Sequence, residues 1–225
     1  MLLIGCSEPN SVESSIDPSD PTEKLPAKYK TQETVEKPDF SEAARSPLFQ
    51  EAIKEASTLF GTKPQPLFSP SERVEVAGGV GFDVPAGKLE AILLEAHKRF
   101  LAKGFYLFRI EQHFGFGEKP DKVGLLPTAD KYAVMAAMET NGDNYSIGTS
   151  GVIAWMKDLE MNHPFVLTGI GFDYMEGHFS VPVTNAQDLA QRMYEFCPDI
   201  VEQGVGTKAQ LAAEIEKGNL YFWWD

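Results

Sequence analysis

Cysteine is nearly missing from this chain. Only Cys6 and Cys197 occur in 225 residues, too few for a disulfide framework, so the fold must rest on an apolar core. Basic residues are also scarce: 20 Lys and Arg against 33 Asp and Glu leave a net charge of −13. A nucleic-acid binder needs a positive face to displace counterions, so nucleic acid is excluded as a partner. Adsorption to anionic lipid by charge alone is excluded for the same reason. No apolar run approaches the roughly 18 residues of a spanning helix. The histidines His97, His113, His163 and His178 include no pair three or four apart, so no helical metal pair exists and no metal is expected. Gly81 and Gly87 have five residues between them rather than the four of a phosphate loop. Leu89 also stands where a Ser or Thr must hold magnesium. Val84 replaces the third glycine of a dinucleotide fingerprint, and no Gly-x-Ser-x-Gly elbow occurs. No cofactor is therefore expected, and the glycines between Gly78 and Gly87 read as a tight turn.

What is present is enough apolar material, 43% of the residues, for one substantial core. Before it, Leu3-Ile4-Gly5-Cys6 resembles a bacterial lipobox, in which small residues fit the signal peptidase and Cys6 is lipidated. Only three apolar residues precede Gly5, against the roughly 7–15 of a signal, so the natural start is expected upstream. Residues 1–6 read as a remnant of that signal. Residues 7–45 carry nine acids and five bases among Ser, Pro and Thr and show no apolar period, which predicts a disordered polar tether. Ser7 after Cys6, by resemblance to Gram-negative lipoproteins, implies an outer-membrane lipoprotein of the bacterial envelope. The alternative is a cytoplasmic protein with a ragged N-terminus. Membrane contact is expected only through that lipid anchor.

Residues 46–225 read as a single α+β domain: one mixed sheet with helices packed on it, preceded by the tether. Ser46-Pro47 signals a helix start, and Leu48 to Phe60 keeps helical spacing up to Gly61. A Pro-rich link is expected over 64–70 and a strand over 73–77. A helix over 85–103 would place His97 near its polar side. The strand over 105–112 would turn Arg109 and Glu111 outward. Further strands are expected over 123–126, 165–173 and 178–181, and helices after Asp130, Thr149, Asn185 and Thr207. The last one opens on a capping-box match, Thr207-x-x-Gln210. Leu220 to Trp224 reads as a terminal strand, with Tyr221 and Trp223 on one face and Phe222 and Trp224 on the other.

Three segments are rich in chemistry. Asn141, Asn144 and Tyr145 lie in a loop of amides, hydroxyls and a carboxylate ahead of a helix, suited to a polar ligand or simply to a turn and cap. Asp199 and Glu202 stand three residues apart after Cys197 and either share acid–base work or sit in a solvated loop. Trp223, Trp224 and Asp225 close the chain. With Phe172-Asp173-Tyr174 and the helix through Trp155, these segments resemble the bacterial family named domain of unknown function 4253, over about residues 120–225. The resemblance implies a domain boundary and no mechanism.

The candidate binding residues are Asn141, Asn144, Tyr145, Asp173, Asp199, Glu202, Trp223, Trp224 and Asp225, around a groove for a small polar ligand or a peptide. The first alternative is a hydrolase-type enzyme using Asp173, Asp199, Glu202 or Cys197. The second is an immunity-like acidic protein that neutralises a basic partner.

Overall fold

The computed structural model describes residues 20–69, 74–85, 87–111 and 119–225. Seven strands form one sheet in the order β1-β2-β4-β3-β5-β6-β7. They are β1 (Gln65–Phe68), β2 (Glu75–Val84), β3 (Tyr106–Glu111), β4 (Asp121–Leu126), β5 (Phe165–Ile170), β6 (Tyr174–Phe179) and β7 (Asn219–Trp223). All neighbours are antiparallel except β3 and β5, which pair in parallel at Arg109 and Gly169. The sheet is therefore mixed, and the fold is α+β with helices on it.

The helices are α1 (Ser41–Ala44), α2 (Pro47–Phe60), α3 (Leu93–Leu101), α4 (Lys131–Met138), α5 (Thr149–Glu160), α6 (Ala186–Phe196) and α7 (Lys208–Glu216). Local chemistry sets their ends. Ser46 Oγ accepts from Phe49 N at 3.2 Å, Pro47 occupies the first turn, and Gly61 closes α2 at φ 73°. Asp130 Oδ1 caps α4 through Tyr132 N at 2.8 Å. Thr207 Oγ1 caps α7 through Gln210 N at 3.2 Å.

Two apolar layers result. On one face of the sheet, α2 and α3 cover β2, β4 and β3 with Phe49, Phe60, Leu93 and Phe100 packed on Phe82, Leu107, Val123 and Leu125. The other layer joins α4, α5, α6 and α7 to Phe108, Leu167, Met175, Leu220 and Phe222. The α2–α3 layer is centred on β2, β4 and β3, and α3 reaches as far as β5.

Several expectations need correction. The proline-containing link is strand β1, paired to β2 from Gln65 to Phe68. Its Pro66 is tolerated because β1 is an edge strand. Gly79 and Gly81 lie inside β2 rather than in a turn; Gly79 lets Leu67 and Leu126 close over the backbone. The α3 helix starts only at Leu93, after turns over 87–92. His97 is fully buried, because α3 turns it toward β3, where Nδ1 meets the Leu107 carbonyl at 2.7 Å. Arg109 is 2% exposed, since β5 extends the sheet beyond β3. A further correction is β6, which runs from Tyr174 rather than from His178.

The stretch expected as a tether divides. Residues 1–19, with Cys6, lie outside the described residues, as do residues 112–118. Residues 20–45 lie on the domain. Thr22, Tyr29 and Phe40 are buried, Tyr29 Oη donates to Asp158 at 2.5 Å, and Gly148 N donates to the Thr31 carbonyl at 3.0 Å. Three scattered apolar or hydroxyl side chains, without a period, are enough to anchor an extended strap because its backbone finds partners on the domain.

Candidate functional site

Two polar clusters stand out. The first gathers most of the residues singled out from sequence. The 3-10 turn Asp143–Tyr145 brings Tyr145 Oη to Asp199 Oδ1 at 2.8 Å. Gln203 Nε2 donates to the same oxygen at 3.0 Å, and Asp225 N donates to Asp199 Oδ2 at 3.0 Å. Asn144 Nδ2 bonds the Asp225 carbonyl, and Trp224 N donates to the Asp173 carbonyl at 2.9 Å. Trp224 is buried between Phe196 and Phe222, with ring centroids 5.4 and 5.9 Å away. Gly142 permits this: a Cβ there would lie 2.7 Å from Trp224 Nε1. Asp199 is 3% exposed and both its oxygens are engaged, so the cluster fastens the C-terminus to the 141–145 loop.

The remaining candidates sit apart. Asn141 caps its own turn, with Oδ1 accepting from Asp143 N at 3.0 Å. Glu202 is exposed and accepts from Tyr194 Oη at 2.8 Å. Trp223 is half-buried on the opposite sheet face from Trp224 and gives its carbonyl to Cys197 Sγ at 2.9 Å. Burial pushes the Cys197 thiol well above its ordinary range, with Asp199 adding to the rise, so it is a poor nucleophile. Asp173 is exposed as a residue, yet desolvation at its carboxyl, then Asp225 and Glu111, push its pKa up. No hydrogen bond among the described residues joins any two of Asp173, Cys197, Asp199 and Glu202. The hydrolase arrangement is not assembled.

The second cluster was missed. A groove of about 380 Å³ lies between α3 and α7, over β5, β6 and β7. Its floor carries Thr168, Glu176, His178 and Tyr221 from β5, β6 and β7. Glu90, Leu93 and Leu94 form one wall, and Ile200, Val205, Leu211 and Glu214 form the other. The register makes the floor: Glu176 faces Tyr221 and His178 faces Asn219, while the alternate residues Met175 and Phe222 enter the core. Glu176 has room because position 169 is glycine; a Cβ there would lie 2.4 Å from Glu176 Cγ.

At the α3 side of this groove, the buried Arg109 meets two of its lining carboxylates. Nη1 donates to both Glu176 oxygens at 3.0 and 3.1 Å, and Nη2 to Glu90 Oε2 at 2.5 Å. Burial pushes the Glu176 carboxyl up, and Arg109 only partly offsets it. Arg109 Nε and the Tyr174 hydroxyl are buried with no hydrogen-bond partner. Burial, then the Glu176 charge, raises the Tyr174 pKa, and Tyr221 next to it is pushed up to about 12 chiefly by burial. A sequence signal existed: Arg109 interrupts the apolar run Tyr106-Leu107-Phe108-Arg109-Ile110. Its partner was invisible, because Glu176 is 67 residues away.

A larger hollow, about 650 Å³, lies over β1, β2 and β4. Among the described residues no group of three or more His, Cys, Asp or Glu is placed to hold a metal ion, and no helix is long and apolar enough to cross a membrane.

Comparison with known proteins gives one result. Residues 122–225, from within β4 to the end of the chain, match the family described as Domain of unknown function (DUF4253). The match includes the Asp199 cluster and the β5–β7 floor of the groove, and leaves out Arg109 and Glu90. No curated protein and no solved structure matches the chain.

Proposed function

We propose that this chain, whose C-terminal half is a domain of the DUF4253 family, is a binding module for a small ligand or a short peptide segment, held in the groove over β5, β6 and β7. The observation that carries this reading is the groove itself: concave, walled mostly by apolar side chains with Glu90 and Glu214 among them, and floored by a few convergent polar groups, the usual make-up of a ligand site. Its volume suits a body of roughly one ring or one to two residues. Binding is favoured over hydrolysis because Cys197 is buried, both Asp199 oxygens are committed, and Glu202 is held by Tyr194. The lipobox resemblance at Cys6 supports an envelope location, and the mass of the mature N-terminus tests it.

The groove is tested by titrating the protein, followed by NMR, with phenylacetate, phenylacetamide and phenethylamine. These share a phenyl–CH2 body and differ in the charge of the head group. Binding of any of them is expected to shift resonances of Tyr221 and Leu94, and Leu94→Asp is expected to abolish the shifts. If none of the three binds, or if the shifts map to the Asp199 cluster instead, the groove is not the site.

A further inference from the structure

The Arg109 cluster pairs one immovable cation with one displaceable anion. Arg109 is 2% exposed and held by both oxygens of Glu176, whose side chain is 19% exposed. Glu90 differs. It stands on the turn before α3, its side chain is 76% exposed, and its contact with Nη2 is a single one. Swinging it into water returns the carboxylate to full hydration, whereas Arg109 has nowhere to go.

We propose that Arg109 is the anchor for a ligand carboxylate, and that Glu90 occupies that place in the ligand-free protein. This rests on the groove reading above and names the ligand class: an amphipathic monocarboxylic acid with a compact apolar body. An incoming carboxylate replaces one charge-assisted hydrogen bond by another of the same kind at Nη2. It also brings a second oxygen to the guanidinium edge beside Nη2, where the buried Arg109 Nε–H has no hydrogen-bond partner. Buried donors left unmet are costly, so a ligand oxygen that meets one gains what Glu90 does not supply. The apolar body has Leu93, Leu94 and Leu211 to lie against. A cationic ligand would meet the Arg109 charge at this end of the groove, and a neutral amide would lack the charge assistance.

The three probes separate the two proposals. Phenylacetate is expected to bind about five- to tenfold more tightly than phenylacetamide, as a charge-assisted bond exceeds a neutral one. Glu90→Gln weakens the internal competitor at an exposed position and is expected to tighten phenylacetate several-fold while leaving phenylacetamide unchanged. Arg109→Lys is expected to lower phenylacetate to the amide's affinity; Glu90→Gln serves independently should that variant fail to fold. Equal affinities for acid and amide, or no response of phenylacetate to Glu90→Gln, would overturn the carboxylate anchor while the groove stands on the amide or amine. Absence of binding by all three overturns both.

Discussion

The two polar clusters of this domain are built from the same kinds of side chain and differ in how completely they are satisfied. Around Asp199, a tyrosine hydroxyl, an amide and a backbone N–H occupy both carboxylate oxygens, and the aromatic stack of Trp155, Phe196, Phe222 and Trp224 closes over them. Around Arg109, one guanidinium nitrogen and one tyrosine hydroxyl are buried without partners, and one carboxylate faces water. A polar network that is satisfied rigidifies the fold; one that is not leaves donors for something else to meet. The family match covers the first cluster whole and the second only in part.

The comparison can be broken at its strong end first. Trp224→Ala is expected to destabilise the protein by about 4 kcal/mol, the range for removing a large buried aromatic. Asp199→Ala should follow at about 3 kcal/mol, because it strands a tyrosine hydroxyl, an amide and a backbone N–H together. Urea unfolding measures both. If either variant falls below 1 kcal/mol, on the order of a surface change, the Asp199 cluster is no lock.

The Arg109 cluster should respond differently. Arg109→Met leaves Glu176 without its partner and is expected to lose about 2 kcal/mol, most of it regained when Glu176→Gln is added, since the penalty comes from an unpaired buried charge. A double variant no better than the single one would mean that Arg109 acts as packing. In both, phenylacetate should bind no more tightly than phenylacetamide.

The smallest effect concerns His97, which falls between the clusters: Nδ1 is bonded and Nε2 is not. Burial holds its pKa below the ordinary 6.5, with the Leu107 bond opposing. The unfolded chain therefore takes up a proton that the folded ring refuses, and stability falls as pH drops below about 6.5, until the folded pKa is reached. Burial gives His163 the same sign. His97→Gln should flatten the pH dependence of the urea midpoint between about pH 7 and 5, and an unchanged slope would show that His97 does not drive it.

Much of the local architecture was legible. Ser46-Pro47, Asp130 and Thr207 mark helix starts because each supplies a side-chain oxygen to an orphan N–H close by in sequence. The terminal strand and its two faces follow from period-two alternation. The first polar cluster was partly legible, since amides, carboxylates and aromatics crowd three short segments. The strap over residues 20–45 was not, because its polar composition is that of a loose chain and only the domain surface supplies partners for it. Arg109 was misjudged as outward for a related reason. Alternation assigns it to the face of Phe105 and Leu107, but whether that face is wet depends on what lies over it.

The sequence by itself determined where helices begin, which side chains share a strand face, and that one core would serve. Those are short-range matters of capping, period and composition. Only the tertiary structure decided that β5 lies parallel beside β3, that Glu90 and Glu176 reach Arg109 from opposite directions, and that Trp224 and Asp225 fold back onto Asp199. Such pairings join residues far apart in the chain, and no local propensity encodes them. They follow from how the whole sheet buries its apolar area.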